Sequence, residues 1–362
     1  MQNTNFTIAV YPGDGIGTEI MATAEAVLKA AQEKVGGFSL SLNTYSAGAA
    51  HYEKFKEDIA PADFNAGGDA DAILLGAMGL PSVRYDDGTE IAPHLRMRTA
   101  YELYAGLRPV KTYPNAPGPL GSDKASEIDL IIVRESTEGL FASLNGGSKV
   151  SHDQASETLT LTRHVCERLF DQSFRLARQR KARGGKGELT CVDKSNVFPA
   201  FAWFREVYDE RAEAFPDIAR RYSYVDAMAL DMVRKPWDFD VLVMENMFGD
   251  IISDLGAGIV GSMGLAPCAE LGDKHGLFQP AHGSAPDIAG QGIANPTAMI
   301  LSAAMMLDWL AQQHDVAACA DAAALIDAAV SQGFADNAIR PSEFGGDTGT
   351  QEIGEAVIAR MG

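Results

Sequence analysis

The sequence predicts an α/β fold. Short apolar runs of strand length alternate with longer stretches of helical pattern, beginning with residues 6–11 and the segment from Thr18 to about Val35. The runs at 71–77, 130–133 and 189–192 are apolar on consecutive positions rather than alternate ones, which suits parallel strands covered by helices on both faces. A chain of 362 residues, 46% apolar and 22% charged, is long enough for two domains with a large core.

The first strand runs into Pro12-Gly13-Asp14-Gly15-Ile16-Gly17, a tight glycine turn, and the helix that follows stops at Gly36-Gly37. This start is not a dinucleotide fingerprint. Counted from Gly13 and Gly15, its third small residue falls at Thr18, and the second strand (38–45) ends without the acid that such a motif requires. Residues 112–123, with Pro114, Pro117 and Pro119, read as a surface loop. Residues 156–162 alternate and are rich in β-branched side chains, so they are expected to form an exposed strand that needs a pairing partner, such as another subunit. A helix follows from Arg163 to about Lys181. Its basic end (Arg175, Arg178, Arg180, Lys181) is expected to be a solvated terminus favoured by the helix dipole.

The formal net charge is -19, which argues against nucleic acid and anionic membrane surfaces as partners. A local basic cluster can still hold an anionic substrate. Cys166, Cys191, Cys268 and Cys319 are scattered, as expected of thiols in a reducing compartment. The first five residues lack the features of a signal peptide, and no apolar run reaches membrane-spanning length, so a cytoplasmic protein is expected.

The chemistry centres on residues 244–255, Met-Glu-Asn-Met-Phe-Gly-Asp-Ile-Ile-Ser-Asp-Leu. If Phe248 onward is helical, Asp250 and Asp254 lie one turn apart on one face and repel each other. No Lys or Arg occurs between Lys235 and Lys274, and the flanking residues are apolar or Gly. Carboxylates partly buried in such a setting need a metal or a distant cation; the plainer reading is a solvated helix face. Asp226 is another acid in an apolar run and can complete the set. Arg98, Arg108 and Arg134 stand near segment ends in a strongly acidic chain, and their planar forks suit a clamp on carboxylates. Lys194 follows the strand 189–192, where burial or nearby cations would let it act as a base. His282-Gly283-Ser284-Ala285-Pro286-Asp287-Ile288, continuing to Asn295, is a small-residue loop that lets backbone approach a ligand, with Asp287 able to accept hydrogen bonds from a ribose.

Together these motifs, in this order and over nearly the whole chain, resemble the isocitrate/isopropylmalate dehydrogenase family of β-decarboxylating 2-hydroxy-acid dehydrogenases. The resemblance implies a two-domain α/β fold with a parallel or mixed sheet that is not a Rossmann fold. Residues 1–103 and 261–362 would form the large cofactor-binding domain, and 104–260 the small domain that makes dimer contacts. It implies NAD and Mg²⁺ or Mn²⁺ as cofactors, a small hydroxy-acid substrate, and a homodimer with shared active sites. Arg98, Arg108 and Arg134 would hold substrate carboxylates. Asp250 and Asp254 would bind the metal, with Asp226 from the second subunit. Lys194, also from that subunit, would be the base on the 2-hydroxyl. The 282–288 loop and Asn295 would bind the adenosine half of the cofactor, with Asn196 near the nicotinamide.

The chain departs from the family at two places. The tyrosine that protonates the enol after loss of CO₂ is replaced by Phe141, which has no proton to give. The specificity segment before Arg98 reads Ile-Ala-Pro-His-Leu-Arg-Met, and its His94 and Arg96 suit a polar or anionic C3 group on the substrate better than an isopropyl group. The expected activity is oxidative decarboxylation of a malate-type acid: 3-isopropylmalate and its analogues, tartrate or D-malate. The alternatives are oxidation without decarboxylation and a non-catalytic regulatory paralogue.

Overall fold

The structure is a computed structural model and describes residues 4–145 and 147–362. Its strands are β1 (Asn5–Tyr11), β2 (Ser39–Thr44), β3 (Ala72–Leu75), β4 (Ala105–Lys111), β5 (Asp129–Glu135), β6 (Lys149–Val150), β7 (Ala155–Ser156), β8 (Glu188–Asp193), β9 (Ala219–Tyr224), β10 (Val241–Met244), β11 (Pro267–Leu271) and β12 (Gly276–Pro280). Its α-helices are α1 (Gly17–Val35), α2 (Ala49–Phe55), α3 (Pro61–Asp69), α4 (Pro93–Ala100), α5 (Arg163–Ala182), α6 (Pro199–Ala212), α7 (Val225–Arg234), α8 (Asn246–Ile259), α9 (Thr297–His314), α10 (Ala317–Ala335) and α11 (Thr350–Ala359). The chain divides into two compact units, one of Met1–Tyr101, Tyr113–Pro117 and Gly261–Gly362, the other of Glu102–Thr112 and Gly118–Val260.

In the first unit the strands run β2-β1-β3-β12-β11. β1 is parallel to β2 and β3, β12 is parallel to β3, and β11 closes as an antiparallel hairpin with β12, so the sheet is mixed. Helix α9 is buried on nearly every side, which explains why its sequence shows no clear polar stripe. The glycine turn after β1 serves packing. Gly13 and Gly15 take positive φ, and a Cβ at either would collide with the carbonyl oxygen of Ala77 or Ser284. Ile16 N donates to that Ser284 oxygen at 2.8 Å, so the glycines are used for backbone-to-backbone approach.

In the second unit the order is β4-β5-β10-β8-β9, with β4 antiparallel to β5 and the other neighbours parallel. Leu130, Ile132, Val192, Leu242 and Met244 pack with Met228 and Met232 of α7 and Ile252 and Ile259 of α8. The alternate residues Val133, Leu189, Cys191, Val241 and Val243 are equally buried and serve the opposite face of the sheet, on which α5 and α6 pack. Both faces are therefore covered, as the apolar runs require.

Two local expectations are corrected. Residues 156–162 do not form a strand: only Ala155 and Ser156 pair, in a two-residue ladder with Val150 and Lys149. The polar side chains of this stretch are spent locally. The Glu157 carboxylate accepts from the Ser143 and Ser148 hydroxyls, Thr160 makes an isolated bridge to Gly139, and the Thr162 hydroxyl caps α5. The basic end of α5 is not simply solvated. Arg180 bonds the buried Asp240 at 2.6 Å and Asp129 at 3.0 Å, and Arg178 pairs with Asp217. Among the described residues, no helix is long and apolar enough to cross a membrane.

Candidate active site

Arg134 is delivered by the end of β5 and Asp250 by the first turns of α8, whose start is fixed by the buried Glu245. That carboxylate caps the helix by accepting from Phe248 N at 2.8 Å and Met247 N at 3.1 Å. The missing counter-charge for the acids of α8 proves to be Arg134, whose Nη1 pairs with Asp250. Its other edge is held by Asn246, whose Oδ1 accepts from Nε at 3.1 Å and Nη2 at 2.7 Å. The guanidinium also lies 5.7 Å from the ring centre of Phe141, so that ring is faced by a cation.

Asp250 and Asp254 share a helix face, as the spacing predicts, but both are exposed rather than partly buried. Partial desolvation and the neighbouring Asp250 raise the Asp254 carboxyl above its ordinary range, while Arg108 and Arg134 oppose the rise. Arg108 itself is buried, on β4 opposite Ile132. The second unit therefore brings together two buried arginines and two exposed acids. That donor set fits a divalent cation, since two repelling carboxylates with room for water are a usual way to hold one.

Asp226 does not join them within one chain. It opens α7, is exposed, and pairs with Lys194. Among the described residues, no cluster of three His, Cys, Asp or Glu side chains could hold a metal. Hydrogen bonding to Lys194 lowers the Asp226 carboxyl below its ordinary value. Lys194 sits in a turn anchored by the neighbouring Asp193, which is fully buried and receives Arg205 Nε at 2.7 Å, Arg205 Nη2 at 2.9 Å and Ser195 N at 2.8 Å. Asn196 is exposed on the same turn.

In the first unit, Arg98 lies on α4, is 7% exposed, and bonds the fully buried Glu270 at 2.9 Å. His94, one turn earlier, is half-buried, whereas Arg96 is turned to Asp58 at 3.3 Å and stacks over Phe64 at 4.8 Å. Arg96 is thus committed elsewhere, which leaves His94 as the polar residue of the expected specificity segment.

The loop from His282 holds a buried polar atom with no protein partner. His282 Nδ1 lies 2.9 Å from the Gly283 carbonyl, which can only accept, so Nδ1 carries the proton and Nε2 is an acceptor. That Nε2 is buried with no protein partner, and burial lowers the imidazole's pKa, so it stays neutral. Ser284 donates to the Gly79 carbonyl, and Ala285 takes a positive φ of 36°. Gly283, Pro286 and Asp287 are exposed and Ile288 is half-buried. A small-residue loop with an unmet acceptor fits a ligand that brings a donor, as the adenosine half of a dinucleotide does. Asn295 is committed to structure: it accepts from Thr297 N and Oγ1 at 3.1 and 2.6 Å, starting α9, and donates to Glu343 at 2.7 Å.

Four residues went unassigned in the sequence: Asn246, Glu270, Asp193 and Arg205. Asp193 and Asn246 adjoin functional residues or open a motif, and an acid beside a strand-end lysine is a readable signal. Glu270 and Arg205 are distant in sequence from Arg98 and Asp193, and nothing local points to them.

The second unit thus groups two arginines from strands β4 and β5 with two acids of α8, and the first carries a small-residue loop with an unmet acceptor. The family model "Isocitrate/isopropylmalate dehydrogenase" matches residues 7–357. The 3-isopropylmalate/3-methylmalate dehydrogenase of Methanocaldococcus jannaschii is 37% identical over 355 residues, covering 98% of both chains. The 3-isopropylmalate dehydrogenase of Carboxydothermus hydrogenoformans is 41% identical over 334 residues, covering 90% of this chain and 86% of the relative. The crystal structure of isocitrate dehydrogenase from Methylococcus capsulatus superposes with a TM-score of 0.83 at 34% identity, covering 98% of this chain and 99% of that one. That of the β-decarboxylating dehydrogenase from Thermococcus kodakarensis gives 0.79 at 34% identity, covering 98% and 96%. The chain belongs to the isocitrate/isopropylmalate dehydrogenase family. It is a β-decarboxylating dehydrogenase, an oxidoreductase acting on CH–OH.

Proposed function

We propose that this enzyme carries out NAD- and divalent-metal-dependent oxidative decarboxylation of a malate-type 2-hydroxy acid with a small C3 substituent, as a homodimer with shared active sites. The observation that carries the reading is the grouping of Arg108 and Arg134 with Asp250 and Asp254. The arginines grip the substrate carboxylates, and the acids hold Mg²⁺ or Mn²⁺. Bound NAD supplies the hydride acceptor, and the bound cation supplies positive charge opposite the oxygen anion that forms as CO₂ leaves. Arg98, steadied by Glu270, adds a third grip. Lys194 takes the proton of the 2-hydroxyl, and its turn is held rigid by Asp193 and Arg205. His282 offers Nε2 to the cofactor, and Asn196 serves the nicotinamide end.

The dimer is supported by the surface of α7 and α8, which pack together and expose Leu230, Val233, Met247 and Ile251. A second copy seated there would bring its Asp226 and Lys194 to the acids of α8. The names of the relatives favour 3-isopropylmalate or 3-methylmalate. Half-buried His94 favours a smaller or more polar group, as in D-malate or tartrate.

The test is a panel of 3-isopropylmalate, 3-methylmalate, D-malate and tartrate, each with NAD or NADP and Mg²⁺ or Mn²⁺, reading reduced cofactor and product mass. Turnover of one acid to a decarboxylated keto acid is expected. NAD should be favoured over NADP, because Asp287 would repel a 2′-phosphate. No turnover with any acid, or a product that keeps its β-carboxylate, would overturn the reading.

A further inference from the structure

Asn246 is fully buried at the start of α8, and its amide has one orientation open to it. The oxygen receives two N–H groups along one edge of Arg134, at 3.1 and 2.7 Å. The NH₂ donates to the Glu138 carbonyl at 3.1 Å and to Glu135 Oε2 at 3.4 Å. Reversing the amide would set its NH₂ against a guanidinium, which cannot accept, and its oxygen against two other acceptors. Glu135 is fully buried and takes Thr137 N, Thr137 Oγ1 and Glu138 N at 2.6, 2.7 and 2.8 Å, so the far side of the relay is rigid too.

A guanidinium offers five N–H groups in a fixed fork. With the Nε–Nη2 edge committed to Asn246, a carboxylate gripped by Arg134 must engage the opposite, Nη1-bearing end, where Asp250 now sits. The stem is fixed as well, because a Cβ at Gly249 would lie 2.6 Å from both Cβ and Cγ of Arg134. Asn246, Asp250 and Asp254 recur at four-residue spacing on one helix, so they share a face.

We propose that Asn246 is a positioning residue: it fixes the plane of the Arg134 fork and aims its Nη1 end at the substrate carboxylate, in register with the acids of α8. It acts through Arg134 and does not touch substrate. The inference rests on the reading of Arg134 as a carboxylate clamp.

The test is a cycle in the full-length protein with Asn246→Ala, Arg134→Lys and the double variant, using the best acid of the panel. Asn246→Ala should raise KM for the acid about tenfold, within the usual range for coupled neighbours, with kcat changed less than about threefold and KM for NAD unchanged. Lysine has no fork to orient, so Asn246→Ala should add less than about twofold in the Arg134→Lys background. If Asn246→Ala does not fold, Asn246→Ser, too short to reach the guanidinium, takes its place. Additive effects in the double variant, or a fall in kcat as large as the rise in KM, would overturn the proposal and leave Asn246 a structural residue. If Arg134→Lys raises KM and Asn246→Ala does not, only this inference fails. If Arg134→Lys leaves KM unchanged, the clamp reading fails and takes the inference with it.

Discussion

Phe141 offers the sharpest test of how this site departs from its family. Its ring is half-buried and lies 5.7 Å from the Arg134 guanidinium, whose side chain is only 5% exposed. A cation over an aromatic face is worth about 0.5–1 kcal/mol when exposed and about 2 when desolvated. Arg134 is well shielded, so about 1–2 kcal/mol is expected here. Replacing the ring with Phe141→Leu removes that support while keeping an apolar side chain. If all of it is felt in substrate binding, KM for the acid should rise roughly five- to thirtyfold, since 1.4 kcal/mol is tenfold. Phe141→Tyr keeps the ring and adds a proton donor. A positioned donor contributes about 10²–10⁴-fold to the step it serves. The tyrosine variant should therefore keep the wild-type KM and release decarboxylated product faster, up to the point where another step limits turnover. The assay is steady-state kinetics on the best acid, with product quantified by mass spectrometry. An unchanged KM in Phe141→Leu would show that the ring does not brace the clamp. A Phe141→Tyr enzyme no faster than wild type in product formation would mean that water or another side chain, with His94 the candidate, already supplies the proton.

Activity should vanish in excess chelator and return with Mg²⁺ or Mn²⁺, and Asp250→Asn should raise the metal requirement by at least about tenfold, the least that losing even an outer-shell partner of a ligand costs; undiminished turnover in chelator would refute the assignment. Inactive Lys194→Ala and Arg134→Ala subunits, mixed and shown to form hybrids, should regain some activity, because one site of each hybrid would be intact; no rescue would refute the shared site. Burial pushes the Glu135 carboxyl from an ordinary 4.5 up to about 7. The folded chain therefore keeps a proton there that the unfolded chain has lost. Its contribution is complete below about pH 4.5 and is lost as pH rises through about 7, on the order of 3 kcal/mol in all. Glu135→Gln should flatten the fall in urea midpoint between those two pH values, and equal slopes in the two proteins would count against it.

The sheet was legible because its central strands are buried on both faces and cannot hide their composition. β3 is buried at all four positions, and β5 and β8 differ from their expected spans by a residue or two; β10, just as buried, is only four residues long and was not read as a strand. β4 and β11 were not read as strands at all, and their direction was not legible either. β4 and β11 are antiparallel to neighbours in otherwise parallel surroundings, and nothing in Ala-Gly-Leu-Arg-Pro-Val-Lys or Pro-Cys-Ala-Glu-Leu states that. The misread stretch 156–162 shows the limit of the period-two signal. Alternating threonines suit a strand, but the same hydroxyls also suit capping and turn bonds, and here local partners won. At the site, residue types were readable and pairings were not. Arg134 and Asp250 are 116 residues apart, and only the parallel pairing of β5 with β10, which leads into α8, brings them together.

The residues that escaped notice share one physical reason for being there. A buried ion cannot be left alone: removing the partner of a buried pair costs about 3–5 kcal/mol, because the remaining charge has neither water nor a counter-ion. An arginine kept rigid enough to orient a substrate must be stripped of water, and once stripped it needs partners that do not compete for the face it presents. Arg98 has Glu270, Arg134 has Asn246, and the turn bearing Lys194 has the Asp193–Arg205 fork. The choice at Arg134 is a neutral amide, which accepts two bonds without cancelling the charge meant for a carboxylate. An aspartate or glutamate there would hold the fork equally well in geometry and weaken its pull on the substrate. At Lys194 the anchoring is done one residue away, by Asp193, and the amine itself pairs with Asp226 at an exposed position. Rigidity is thus supplied from the side or from the chain neighbour: a carboxylate at Arg98, an amide at Arg134, and the Asp193–Arg205 fork beside Lys194.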